Sequence, residues 1–404
     1  MPSPGRGIRL AVLDDGLFVH TQVDDIRPLS ATFNRFVEAV ARTGAFERVR
    51  YIVPVRELRI YEVEPAHDPI DESALEVIPT TFFSGIGDYL LRAGWVAGRN
   101  WRPIERAIAD SDLLWLRLPA SNALLALAAA RRHGVPYFGW LAGSVASVAH
   151  AQPRPWPLKA LARAIGATYD AVSELAGRGG PLITLDSDFF ASVVTAAEVE
   201  QTRAGADTSA VLAARPADGR SRIVWAGRMA GEKGLLDLSA AFELLLARGR
   251  DVTLVLIGDG PVRQKLERAL VRLPAERVED YGYVGYRPAY MELLRGGDMF
   301  VHPSRAEGVP KVLVEAMAAG LPIVAADAGA VRDVLGDGER GRLVAAADVR
   351  ALAEGLDELL AAPAARAGMR ERGLAWAADH TAEAQAQRLV RWLRQRFPGL
   401  GWPA

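Results

Sequence analysis

The segment Glu307-Gly308-Val309-Pro310-Lys311-Val312-Leu313-Val314-Glu315 sets two carboxylates on either side of a proline. Proline suits the first turn of a helix, where its missing N–H costs nothing, and Gly320 suits the position just past the end, so a helix from about Pro310 to Ala319 is expected. The start of a helix presents unbonded N–H groups and a partial positive charge, which together favour a phosphate. Glu307 stands at the mouth of that site and Glu315 lies further along the helix. Two carboxylates so placed could accept hydrogen bonds from hydroxyls at both ends of a nucleotide sugar.

A second segment, Gly227-Arg228-Met229-Ala230-Gly231-Glu232-Lys233-Gly234, directly follows the apolar run Ile223 to Ala226. Loops at the carboxyl ends of parallel strands are where α/β sheets bind ligands. Arg228 can fork two hydrogen bonds onto phosphate oxygens, and Lys233 supplies a point charge. The chain has only four lysines, Lys159, Lys233, Lys265 and Lys311, and two of them fall in these two segments. The plainer alternatives are a solvated helix carrying ordinary charge and a surface loop with exposed ion pairs, which are usually worth little.

The elements that must position these residues alternate. Ile8 to Leu13 reads as a buried strand, Ser30 can cap a helix through Phe33, Phe36, Val37 and Val40, and Val49 to Val53 reads as the next strand. Leu113 to Leu116, a helix from about Ser121 to Arg132, and Val135 to Trp140 continue the rhythm. It fades over 196–220, the expected linker, and restarts: strand Ile223 to Ala226, helix Leu235 to Arg248, strand Val252 to Ile257, helix Pro261 to Arg272, strand Val278 to Tyr283. Met299 to His302 and Pro322 to Ala325 flank the helix after Pro310. Strands separated by helices imply parallel sheets, hence two doubly wound α/β domains, 1–195 and 221–381, facing a central cleft. A last helix, Ala382 to Arg396, shows apolar Leu389, Val390, Leu393 and Phe397 on one face, so 382–404 is expected to pack back on the first domain.

In combination these motifs resemble the family-4-type (GT4-like) glycosyltransferases of the GT-B fold. The likeness is carried by Trp225-Ala226-Gly227-Arg228 with Lys233-Gly234, Ile257-Gly258-Asp259-Gly260-Pro261, His302-Pro303-Ser304, and Glu307 to Glu315 followed by Ala316-Met317-Ala318-Ala319-Gly320-Leu321-Pro322-Ile323-Val324. It covers the chain from about Ile223 onward. The resemblance implies a retaining hexosyltransferase with two Rossmann-like domains, using a UDP- or GDP-linked sugar and needing no cofactor. It implies that Gly227, Arg228 and Lys233 hold the diphosphate and stabilise the departing nucleotide, that Glu307 contacts the donor sugar and Glu315 the ribose. The amides of Gly308, Val309, Lys311, Val312 and Leu313 would complete the phosphate site. The acceptor would attack the face that the leaving diphosphate vacates, and the diphosphate would help take its proton. The acceptor is expected to be a glycan, a lipid-linked sugar or a small molecule.

Some positions depart from the family's pattern. Gly329-Ala330-Val331-Arg332-Asp333 stands where the family often shows Gly-Gly-x-Pro-Glu, so Asp333 replaces the glutamate with a shorter reach. Asp15-Gly16-Leu17-Phe18 replaces the Gly-Gly turn of the first loop, and Leu141-Ala142-Gly143-Ser144 replaces a His-Gly. Arg117, Ser144, His20 and His150 stand on loops or strand ends that could meet the acceptor, and for each a structural role competes. His67, His133 and His380 read as surface residues.

Composition narrows the rest. With 48 basic and 49 acidic residues the net charge is -1, so nothing global attracts nucleic acid. Cysteine is absent, which removes disulfides and thiolate metal sites and fits a cytoplasmic setting. No histidine has zinc-ligand spacing, and Asp186-Ser187-Asp188, which imitates a metal-binding Asp-x-Asp, reads as an Asp-capped turn, so no metal is expected. Met1 to Arg6 precedes no signal-like apolar region, and no apolar run approaches the ~20 residues of a membrane span. The aromatic and arginine-rich stretch from Phe82 to Trp101 could touch a bilayer peripherally, on its inner face, although two helices packed on their own domain would read the same. A dehydrogenase is excluded by the lack of Gly-x-Gly-x-x-Gly after the first strand. A nucleotide-sugar epimerase on a similar fold, which would need no acceptor, and a catalytically silent binding protein are the remaining alternatives.

Overall fold

In a computed structural model, the protein is described for residues 7–21, 25–29, 33–58, 68–83, 86–141, 166–167, 171, 174–175, 179–184, 186, 189–205, 219–285 and 288–403. The chain forms two compact units, one of residues 1–185 and 386–404, the other of residues 186–385.

The first unit is built on β1 (Ile8–Leu13), β2 (Phe18–His20), β3 (Ile26–Pro28), β4 (Phe46–Glu57), β5 (Glu76–Thr81), β6 (Leu113–Leu118), β7 (Tyr137–Leu141) and β8 (Leu182–Thr184). Their order is β3-β2-β4-β1-β6-β7-β8, with β5 also paired to β4. Every pairing is parallel except β2 with β3. On one face Phe33, Phe36, Trp115, Phe138 and Trp140 form a packed aromatic group, with Phe36 and Trp115 edge-to-face at 6.0 Å. Such pairs add to plain area burial. The terminal helix Ala382–Arg396 and the residues after it reach the same unit through Trp392 and Phe397, both against Phe138, and Trp402 against Phe46.

The strand after Gly134 begins at Tyr137 rather than Val135, because Gly134 ends the preceding helix in the left-handed region and the Val135 amide closes back onto the Ala130 carbonyl. The hairpin β2–β3 and the strand β5, which contains Pro79, were not expected: the first two are three residues each and β5 carries no alternating pattern. The segment expected as a linker opens as a helix, Ala196–Arg203, started by a capping box in which Thr195 and Glu198 satisfy each other's backbone N–H groups. Ser30 lies outside the described residues.

The second unit holds β9 (Ser221–Ala226), β10 (Val252–Ile257), β11 (Val278–Asp280), β12 (Met299–His302), β13 (Ile323–Ala326) and β14 (Arg342–Val344), all parallel, in the order β11-β10-β9-β12-β13-β14. Residues of β10 are buried throughout, as a strand covered on both faces requires. The chain lays down β9, β10 and β11 in one direction and then returns to place β12 on the other side of β9. That reversal makes the carboxyl ends of β9 and β12 the topological switch point, where open α/β sheets bind ligands.

Candidate functional site

The loops after β9 and β12 are pressed together backbone to backbone. Gly234 sits at φ +67, and a Cβ there would lie 2.0 Å from the Pro303 carbonyl oxygen, so no side chain fits. The Arg305 amide also donates to the Glu232 carbonyl at 2.7 Å. This contact brings Lys233 to Glu307: Nζ donates to Oε1 at 2.6 Å. His302, the last residue of β12 and 2 % exposed, puts Nε2 3.0 Å from the same oxygen. Burial pushes the Glu307 carboxyl up, but the His302 hydrogen bond and the Lys233 charge outweigh it and hold the group down at about 2. Glu307 is therefore an anion at any physiological pH, flanked by two cation-capable groups.

From the other side Gly329, at φ +58, approaches so closely that a Cβ would lie 2.0 Å from the Glu307 carbonyl oxygen. Gly329 thus fixes the Glu307 backbone, while Asp333 is exposed. Arg228 is exposed and paired with Glu232 at 3.0 Å, one turn along the loop. Its neighbour Met229 bonds through its amide to the Asp259 carbonyl at 2.8 Å, so the turn Gly258 to Gly260 braces the Arg228 loop. Gly227 and Gly308 are exposed, with Val309, Lys311 and Val312 half-buried at the beginning of the next helix.

That helix runs Lys311–Ala318, one residue shorter at each end than expected, with Pro310 at the capping position and Gly320 just past the end at φ +74. The Leu313 amide is occupied by the Pro310 carbonyl at 3.0 Å, which removes it from the set of amides expected to receive a phosphate. Glu315 is one turn into the helix and buried. Its Oε2 accepts a hydrogen bond from the Tyr290 hydroxyl at 2.5 Å, and burial pushes its carboxyl up to about 6. The two glutamates are both brought to the β12 side of the sheet, with their carboxyls shifted in opposite directions.

Residues expected as acceptor candidates belong to the first unit. Arg117, on β6, donates to Asp14 Oδ1 at 2.6 Å and lies over the Phe33 ring at 4.4 Å, while Tyr51 donates to Asp14 Oδ2 at 2.6 Å. Asp14 and Arg117 thus close the switch point between β1 and β6 as an ion pair between a buried carboxylate and a half-buried guanidinium. Asp15 accepts from both the amide and the hydroxyl of Ser121 at 2.6 Å, and burial pushes its carboxyl up to about 6. His20 lies 3.3 Å from Glu57. Ser144 and His150 lie outside the described residues, as do Ser187 and Asp188 of the Asp-x-Asp imitation, whose Asp186 accepts the Phe189 amide at 2.8 Å as a turn cap. His380, expected at the surface, is buried instead, stacked on Trp376 at 3.8 Å. In the stretch from Phe82 to Trp101, Val96 and Asn100 are buried, whereas Leu91 is 89 % and Trp95 54 % exposed. Among the described residues no helix is long and apolar enough to cross a membrane.

Residues 220–362 match the family model described as Glycosyl transferases group 1. The chain is 34% identical over 157 residues to an alpha-D-kanosaminyltransferase of Streptomyces kanamyceticus, covering 38% of this chain and 40% of that protein. It is 27% identical over 276 residues to a glycogen synthase of Mycobacterium tuberculosis, covering 67% and 61%. Among solved structures, HepE of Anabaena in complex with UDP superimposes with a TM-score of 0.61 at 16% identity, over 96% of this chain and 100% of that one. A sucrose-phosphate synthase from Thermosynechococcus elongatus gives 0.64 at 17%, over 98% and 100%. Residues 220–362 thus match the Glycosyl transferases group 1 family, and the chain has the GT-B fold. It spans 40%, 31%, 42% and 22% of the length of four curated relatives it matches. Those matches are partial, whereas the GT-B likeness extends over nearly the whole chain.

Two contributors to the site were not singled out in the sequence. His302 stands in the His302-Pro303-Ser304 motif without a role, and its place at the end of β12, next to the Glu307 loop, was the available signal. Tyr290 carries no motif; its helix, Pro288–Arg295, meets Glu315 only through the tertiary fold.

Proposed function

We propose that this GT4-like protein transfers a hexosyl group from a nucleoside-diphosphate sugar, UDP- or GDP-linked, to a hydroxyl of a glycan, lipid-linked or small-molecule acceptor, with retention at the anomeric carbon. The observation that carries the reading is the Lys233–Glu307–His302 cluster at the β9/β12 switch point. A lysine held 2.6 Å from a buried carboxylate is an ammonium ready to exchange that partner for a diphosphate oxygen. Once it does, Glu307 is free to accept hydrogen bonds from the donor sugar. Arg228, exposed on the flanking loop, supplies the second cation, and both would stabilise negative charge as it develops on the departing diphosphate. The amides of Gly227, Gly308, Val309, Lys311 and Val312 would bind the phosphates, and Glu315 would read the ribose. That the structural neighbour HepE was solved in complex with UDP supports a nucleotide ligand. No step in this scheme requires a metal ion, because the protein's own cations face the phosphates.

Two substitutions test it. Glu307→Gln and Lys233→Ala should each lower transfer by roughly 10²-fold or more, the scale on which removing one electrostatic stabiliser acts, while the circular dichroism spectrum is retained. Proton NMR of the first-formed product should show the donor's anomeric configuration. Unchanged turnover in either variant, or an inverted product, overturns the assignment.

A further inference from the structure

Glu315 and Tyr290 face each other from two helices, Lys311–Ala318 and Pro288–Arg295, and each is about nine-tenths buried, at 9 % and 8 % exposure. The phenol O–H donates to Oε2 at 2.5 Å. The charged groups around this carboxylate are Lys311, which favours its ionised form, and Glu198, on the helix Ala196–Arg203, which opposes it; burial opposes it most. A glutamate side chain loses rotamer freedom when it is fixed, so a carboxylate that must meet a ligand gains by being held beforehand. Tyr290 does this through one oxygen only.

We propose that Tyr290 is a positioning residue for the nucleotide: by engaging Oε2 of Glu315 it fixes the carboxylate and presents Oε1 to the vicinal hydroxyls of the donor ribose. The proposal rests on the reading of Glu315 as the ribose contact. Tyr290 itself touches no part of the ligand. Its removal therefore acts only on ligands that own those hydroxyls, which a general loss of packing would not do.

The experiment is calorimetric titration of the full-length chain with uridine, guanosine and adenosine diphosphates and their 2′,3′-dideoxy counterparts, on wild type, Tyr290→Phe, Glu315→Gln and the double variant. Wild type should bind the ribo form of its preferred diphosphate roughly 10- to 100-fold more tightly than the dideoxy form, the worth of hydrogen bonds to a charged group. In Tyr290→Phe this preference should shrink to within about threefold, with affinity for the dideoxy form unchanged. In the Glu315→Gln background, adding Tyr290→Phe should change neither affinity, since interacting residues couple in such a cycle. A wild type that discriminates beside a Tyr290→Phe that discriminates equally overturns the role of Tyr290 and leaves the ribose reading standing. A wild type that binds ribo and dideoxy forms alike, or binds none of the three diphosphates, overturns the ribose reading and the proposal with it. Should Tyr290→Phe unfold, Tyr290→His, which keeps a donor on a ring, should retain discrimination; equal binding of both forms by a folded Tyr290→His counts against the proposal.

Discussion

Glu307 and Glu315 lie in one short segment, yet their surroundings shift their carboxyls in opposite directions. Glu307 is flanked by Lys233 and His302 and stays at about 2, whereas Glu315 has burial working against its charge and rises to about 6. The two shifts act on stability in opposite directions. For Glu315 the folded chain keeps a proton that the unfolded chain, with an ordinary value of 4.5, would release. Its contribution is therefore complete below about pH 4.5 and is lost as the pH rises through about 6. For Glu307 the contribution is present above about pH 4.5 and is lost as the pH falls toward about 2. Glu315→Gln, which cannot ionise, should flatten the decline in urea-unfolding free energy between pH 4.5 and pH 7 by about 1–2 kcal/mol. An unaltered slope in that variant would mean that Glu315 is not titrating in this range. The carboxylate types and their places were legible in the sequence. Their shifts were not, because these depend on burial and on Lys233, Tyr290 and Glu198, which only the fold brings near.

At the scale of elements, the site is made by loops whose backbones nearly touch. Gly329 leaves no room for a Cβ against the Glu307 carbonyl, and Gly234 leaves none against Pro303. Gly329→Ala must therefore push the Glu307 loop away, at a left-handed position that alanine also disfavours. A displacement near 1 Å in a positioning element costs about 10²-fold in rate, so kcat/KM of Gly329→Ala should fall by about that factor with the secondary structure intact. Full activity in this variant would show that Glu307 does not need its present placement. The elements themselves were largely legible: β1, β10, β12 and the last helix run where apolar periodicity places them, because buried parallel strands are continuous apolar runs. What escaped was short or edge structure, such as β2, β3 and β14, which three residues cannot announce, and the helix Ala196–Arg203, whose alanine, glutamate and arginine content has no apolar face. The departure from Gly-Gly-x-Pro-Glu was visible in the sequence, but not that Gly329 approaches the Glu307 backbone so closely.

For the whole molecule, 48 basic and 49 acidic side chains leave almost no net field, so any attraction for an anionic ligand must be local. Most arginines near the site are spoken for: Arg305 by Asp237, Arg263 by Asp259 and Asp280, Arg332 by Asp327. Lys233 is different, because its partner is itself a candidate ligand contact. On the proposed reading the second unit concentrates the nucleotide chemistry, while the first unit's switch point is closed by Asp14, Tyr51 and Arg117. The two-unit α/β organisation could be read from the alternation of strands and helices; the exact residues at which the chain passes between units, near 185 and 385, could not, since no change in composition marks them. The most direct test of the central claim is calorimetric titration of UDP, GDP, ADP and TDP into the wild-type chain and Lys233→Ala. The account predicts one diphosphate bound per wild-type chain at micromolar Kd, weakened roughly 10- to 100-fold in Lys233→Ala as a charged hydrogen bond is lost. Equal affinity in the two proteins, or no diphosphate bound by wild type, would contradict it.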